Sequence, residues 1–108
     1  VVGSAIACWK DRAIAQITPD NSLGGDNSVV NDTGNGIDSI TGGATRNTNL
    51  FHSFEQFSVQ NGRIASFENA PNIQNIITRV TGNSISDIDG AIAARGTANL
   101  FLLNPNGI

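Results

Sequence analysis

The segment that most limits the folds open to this chain is Ala98-Asn99-Leu100-Phe101-Leu102-Leu103, run directly into Asn104-Pro105-Asn106-Gly107-Ile108. The apolar run reads as a strand buried on both faces. Pro105 fixes φ at about −65° and donates no backbone N–H, whereas Gly107 tolerates positive φ. A strand entering so rigid a corner belongs to an architecture whose corners have a set geometry. The chain stops inside that element, so the expectation is a piece cut from a larger structure.

The rest of the chain is polar without being charged. Only 14% of its 108 residues are charged, well under the usual quarter or so. Asn, Ser, Thr and its 12 glycines carry the polarity. These residues supply turns and side-chain-to-backbone bonds, and they disfavour helix interiors. Stacked β-structure with tight turns suits them. A net charge of −3 and a pI near 4.7 argue against nucleic acid, which needs a basic footprint. The single cysteine, Cys8, excludes an intramolecular disulfide and a cysteine-based zinc site. Its neighbours Ala5, Ile6, Ala7 and Trp9 provide nothing that would favour a reactive thiolate.

Val1 to Trp9 is small and apolar, and Ala13-Ile14-Ala15 places small residues three and one before a cut ahead of Gln16. Residues 1–15 are read as the remainder of a signal peptide, with cleavage between Ala15 and Gln16 directed by Ala13 and Ala15. Lys10, Asp11 and Arg12 interrupt that pattern, and the alternative is an ordinary N-terminal segment. The apolar run is too short to span a bilayer.

From Gln16 the chain reads as many short strands between turns. Gln16 to Asp20 is a short entry strand limited by Pro19. Val29-Val30 and Ile37 to Ile40 are hairpin strands among glycine-rich turns. Phe51, Phe54 and Phe57 are spaced as on a helix or in an aromatic strand. With Leu50 and Val59 they are expected to plug one end of a core. Asn61 to Phe67, Gly82 to Gly90 and Gly96 to Leu100 read as turn-plus-strand units with a period of about 20 residues, a stacking solenoid. Ile73, Ile76, Ile77 and Val80 fit a helical template, but Pro71-Asn72 before them, Gly82 after them and their β-branched content favour a strand.

Several passages together carry a family resemblance. They are Gln16 to Gly24, Asn49-Leu50-Phe51-His52-Ser53-Phe54, Arg79-Val80-Thr81-Gly82, Ile88-Asp89-Gly90 and Ala98 to Ile108. They resemble the N-terminal secretion domain, or haemagglutination activity domain, of filamentous haemagglutinin-like two-partner secretion exoproteins of cyanobacterial type. The resemblance runs from about Gln16 to the end and corresponds to the front half of that domain. It implies an all-β fold: a right-handed parallel β-helix with an N-terminal antiparallel cap, incomplete at the C-terminus.

It also implies Sec export, then recognition in the periplasm by a dedicated outer-membrane transporter, with a secreted or cell-surface destination in a Gram-negative-type bacterium. Two Asn-Pro motifs mark the family. One matches at Asn104, Pro105, Asn106, Gly107 and Ile108. The other matches at Pro71, Asn72 and Ile73, with Ala70 standing where the family has Asn. These are the expected transporter-recognition residues. The resemblance further implies a domain that nucleates the β-helix of a large adhesin, whose missing part contacts host or cell-surface glycans.

Enzymatic chemistry has little support in the residues. Asp87-Ile88-Asp89-Gly90 lacks the later Glu of a calcium loop, so no metal is expected. His52, the only histidine, has no nucleophile elbow in the chain to serve and reads as structural. Glu55 and Glu68 with Asp87 or Asp89 are the only carboxylates to weigh for a polysaccharide-cleaving pair. The glycines form no phosphate cradle, and no cofactor is expected. The expected function is a non-enzymatic secretion-targeting domain. The alternatives are a module that itself binds carbohydrate and, less well supported, a β-helix polysaccharide-cleaving enzyme.

Overall fold

The computed structural model describes residues 16–108; the expected signal remnant, with Ala13, Ala15 and Cys8, lies outside the described residues. The described residues form β1 (Ile17–Pro19), β2 (Ser28–Asp32), β3 (Ile37–Gly42), β4 (Ala44–Arg46), β5 (Asn49–Phe57), β6 (Ile64–Phe67), β7 (Asn75–Val80), β8 (Ala91–Ala94) and β9 (Asn99–Leu103). A single 3₁₀ turn, Gly24–Asp26, joins β1 to β2. The fold is all-β, and its two sheets do not close into a barrel.

The first sheet runs β1-β5-β7-β9, with β4 beside β1 on β5; the second runs β2-β3-β6-β8. From β5 onward the chain alternates between them, and every pairing among β5, β7 and β9, and between β6 and β8, is parallel. Before that, β1 and β4 pair antiparallel with β5, and β2 pairs antiparallel with β3. This is an antiparallel cap leading into the first coils of a parallel β-helix. Val29-Val30 and Ile37 to Ile40 form the expected hairpin, and Pro19 ends β1 at a bulge against Phe54.

Coils repeat by stacking like on like. Asn49, Asn75 and Asn99 open β5, β7 and β9 and form a ladder: the Asn75 amide donates to Asn49 Oδ1 at 2.9 Å, and the Asn99 amide to Asn75 Oδ1 at 3.2 Å. The steps are 26 and 24 residues. The expected period of about 20 was too short, because each coil must also fit a third side and its corners. Among the described residues that third side is held by one parallel bridge, Val59 to Ile88, so Gly82 to Gly90 does not contain the expected short strand.

Strand alternation decides the core. Leu50, His52 and Phe54 point inward from β5, Ile76, Thr78 and Val80 from β7, and Ile40, Ala65 and Phe67 from the second sheet. Phe54 and Phe57 are buried as expected, their rings 5.2 Å apart. Phe51 is not part of that plug, because its odd register turns it to the outer face. The segment around Ile76 is a strand; its helical spacing arises because Ile73 is buried in the preceding corner and Ile77 faces outward. β9 is not buried on both faces. It is the free edge strand of the first sheet, with Phe101 48% and Leu103 54% exposed.

Candidate functional site

Asn104 to Gly107 is a β-turn in which the Gly107 N–H donates to the Asn104 carbonyl at 3.0 Å. Pro105 occupies the position where a fixed φ is pre-set for the turn, and Asn106 keeps a negative φ, which makes the turn type I. The Asn104 carboxamide oxygen accepts the Asn106 N–H at 2.9 Å and so stiffens the corner from within. Both side-chain amides then reach back one coil. Asn104 Nδ2 donates to the Ser84 carbonyl and to Ser86 Oγ, each at 2.9 Å. Asn106 Nδ2 donates to the Gly82 carbonyl at 2.7 Å, and the Ser86 N–H returns a bond to the Gly107 carbonyl at 3.0 Å. The corner is therefore stapled onto residues 82–86. Pro105 and Ile108 remain exposed, Ile108 at 68%.

Ala70 to Ile73 repeats the backbone turn, with the Ile73 N–H on the Ala70 carbonyl at 3.1 Å and Pro71 in the same position. Ala70 has no amide to brace it. Asn69, one residue earlier and 5% exposed, takes over that task toward the next coil. Its Oδ1 accepts the Arg95 N–H at 2.8 Å, and its Nδ2 donates to the carbonyls of Ala70 and Arg95. Sequence reasoning missed Asn69, since a lone Asn in an Asn-rich chain carries no distinguishing signal. Pro71 and Asn72 are exposed, and Ile73 is buried in the core.

The two corners are not brought together. Pro71, Asn72 and Ile73 lead into β7 at the N-terminal end of the first sheet's strands, and Asn104 to Ile108 leave β9 at the other end. A strand of β7's length, at about 3.3 Å per residue, separates them by roughly 15–20 Å.

A second polar cluster ties the entry segment, Gln16 to Gly24, to the first two coils. The Ser53 and Thr81 hydroxyls each donate to Asp20 Oδ2 at 2.6 Å, and the Ser22 N–H donates to Asp20 Oδ1 at 2.9 Å. Arg79 donates to Ser53 Oγ at 2.7 Å and to Ser22 Oγ at 2.9 Å. Burial opposes ionisation of Asp20, but the combined bonds from Ser53, Thr81 and Ser22 outweigh it and hold the carboxyl well below the usual range.

His52 is 2% exposed, and its Nδ1 lies 2.8 Å from Ser28 Oγ. That hydroxyl, itself buried, also accepts the Ser53 N–H at 3.1 Å and so braces β5. Burial lowers the His52 pKa to about 4. Of the carboxylates weighed for catalysis, Glu68 is held low by the Ser66 hydroxyl and then by the Arg95 guanidinium, the reverse of what a general acid needs. No group of His, Cys, Asp and Glu suited to a metal ion occurs among the described residues.

Among known families, the TPS secretion domain matches residues 15–108. No curated protein and no solved structure gives a match.

Proposed function

This chain belongs to the TPS secretion domain family, and on that premise we propose that its Asn104 to Ile108 corner, with the adjoining β9 edge, is where its transporter engages it. The coarser role follows from membership. TPS domains target exported proteins through the outer membrane in two-partner secretion, by interaction with an outer-membrane transporter. The family is a targeting family rather than a catalytic one.

The observation that carries the finer proposal is the position of the corner: it directly follows β9, the outermost strand of the first sheet among the described residues. An unpaired edge strand accepts another strand by main-chain hydrogen bonding. A corner pre-set by Pro105 costs little ordering on contact. The amides of Asn104 and Asn106 are occupied once the corner has closed on residues 82–86. The transporter therefore reads them before closure, on a partly folded chain delivered to the periplasm by Sec export after removal of residues 1–15. Closure then releases the amides to the fold, and the β9 edge with Asn99 templates the next coil of the β-helix. The Pro71, Asn72 and Ile73 corner has the weaker claim on recognition, since Ala70 removes its amide and Ile73 is buried. The exported protein carries its adhesive, glycan-contacting surface beyond this domain.

The test is secretion of a fusion in which Asn104→Ala and Asn106→Ala are combined, expressed with the cognate transporter. Secretion is expected to fall while circular dichroism still shows a β-folded domain. Undiminished secretion by a folded double variant would remove the corner from recognition.

A further inference from the structure

The outer face of the first sheet is unusual for a protein facing water. In register across it, Phe51 of β5, Ile77 of β7 and Phe101 of β9 form an outward apolar row, with the buried Ala44 of β4 at its end. Beside the row lies a groove of about 470 Å³ whose walls include Leu23, Ala44, Phe51, Ile77 and Leu103. Isolated exposed apolar residues need no explanation, but a contiguous strip rimmed by polar groups marks an interaction surface.

The charges at this groove indicate what it accepts. The chain is net negative, yet no carboxylate lines the groove, and two guanidiniums do, Arg46 and Arg79. The described residues hold four arginines. Arg63 is ion-paired with Asp38 and Asp32, and Arg95 with Glu68. Arg46 and Arg79 have no ion pair among the described residues. Arg46 is exposed and donates only to the carbonyl of its neighbour Thr45 at 2.9 Å. Arg79 donates to the hydroxyls of Ser53 and Ser22, with the Asp20 carboxylate one hydroxyl further on. Arg46 therefore carries the less compensated charge. The two arginines left without a carboxylate both line the apolar groove, and a guanidinium fork matches a carboxylate in planar, paired geometry.

We propose that this groove docks an acidic amphipathic polypeptide segment of the transporter's periplasmic region. Apolar side chains of the segment lie on Phe51, Ile77 and Leu103, and an Asp or Glu between them meets Arg46, with Arg79 beside it. The proposal rests on the transporter reading above and adds a second contact surface, on a sheet face rather than at the edge and corner.

Fluorescence anisotropy on the intact chain tests it, with two labelled probes: the periplasmic domains of the cognate transporter, and a short peptide alternating Leu and Glu. Both are expected to bind, and Arg46→Glu is expected to weaken both by about tenfold or more while Arg46→Lys weakens them less. Leu103→Ser is expected to weaken both as well. Equal binding by the Arg46→Glu chain overturns the groove while leaving transporter recognition intact. Peptide binding with no transporter binding overturns the choice of partner and the transporter reading, but not the groove chemistry. Failure of both probes, or tighter binding of a Leu-Lys peptide, overturns the groove outright.

Discussion

Individual side chains set how firmly one coil holds the next. Asn104 donates twice and Asn106 once to the coil beneath, so the corner is a fastening as well as a turn. Asn104→Ala is expected to cost about 1–2 kcal/mol in urea denaturation, and Asn106→Ala about 1 kcal/mol. Thr78 presents the opposite case. It is fully buried, and its Oγ1 has no hydrogen-bond partner. Thr78→Val removes that hydroxyl in the same volume and is expected to raise stability by about 1 kcal/mol, read from the same measurement. His52 makes stability depend on pH. Burial lowers its folded pKa from 6.5 to about 4, so the unfolded chain binds the proton first as pH falls. Its contribution is complete above about pH 6.5 and is lost progressively down to about pH 4, a change on the order of 3 kcal/mol. Urea midpoints measured across that window are expected to fall, and the fall is expected to shrink in His52→Gln.

At the scale of elements, stacking demands close backbone approach between coils. Gly90 lies where a Cβ would fall onto the carbonyl oxygens of Gln60 and Arg63, and Gly82 where one would fall onto that of Glu55. Gly90→Ala is expected to destabilise by about 3 kcal/mol or to prevent folding, visible as loss of the β signal in circular dichroism. The elements were legible where composition and turns agreed: Val29-Val30 with Ile37 to Ile40 as a hairpin, and Asn75–Val80 as a strand despite helical spacing. They were illegible where a single contact defines the element. Ile88 makes one bridge to Val59, and one bridge leaves no periodic trace in a sequence. The period was misjudged for a related reason. Asn49, Asn75 and Asn99 mark it, but three asparagines in an Asn-rich chain become a signal only once they are seen to stack. The corner at Asn104 was legible from Pro105 and Gly107 themselves. Its attachment to Ser84 and Ser86 was not, because that contact joins different coils.

Over the described residues the molecule is the start of a β-helix. The N-terminal cap closes one end with antiparallel strands, while β8 and β9 end the two sheets with unpaired edges. Leu100 and Leu102 face inward at that end and remain half-exposed, with Phe101 and Leu103 exposed on the other side. Such an edge invites pairing with a further strand, whether the next coil, a transporter strand or another copy. Residues 16–108 alone are expected to associate as concentration rises, seen as an increasing sedimentation coefficient, and Phe101→Lys is expected to reduce that association. A sharp monomeric unfolding transition would contradict this expectation. The most direct measurement is the amount of a passenger, fused behind this chain, that reaches the medium with and without the cognate outer-membrane transporter. The account predicts secretion that requires both chain and transporter and falls with Asn104→Ala plus Asn106→Ala. Equal release without the transporter would contradict it.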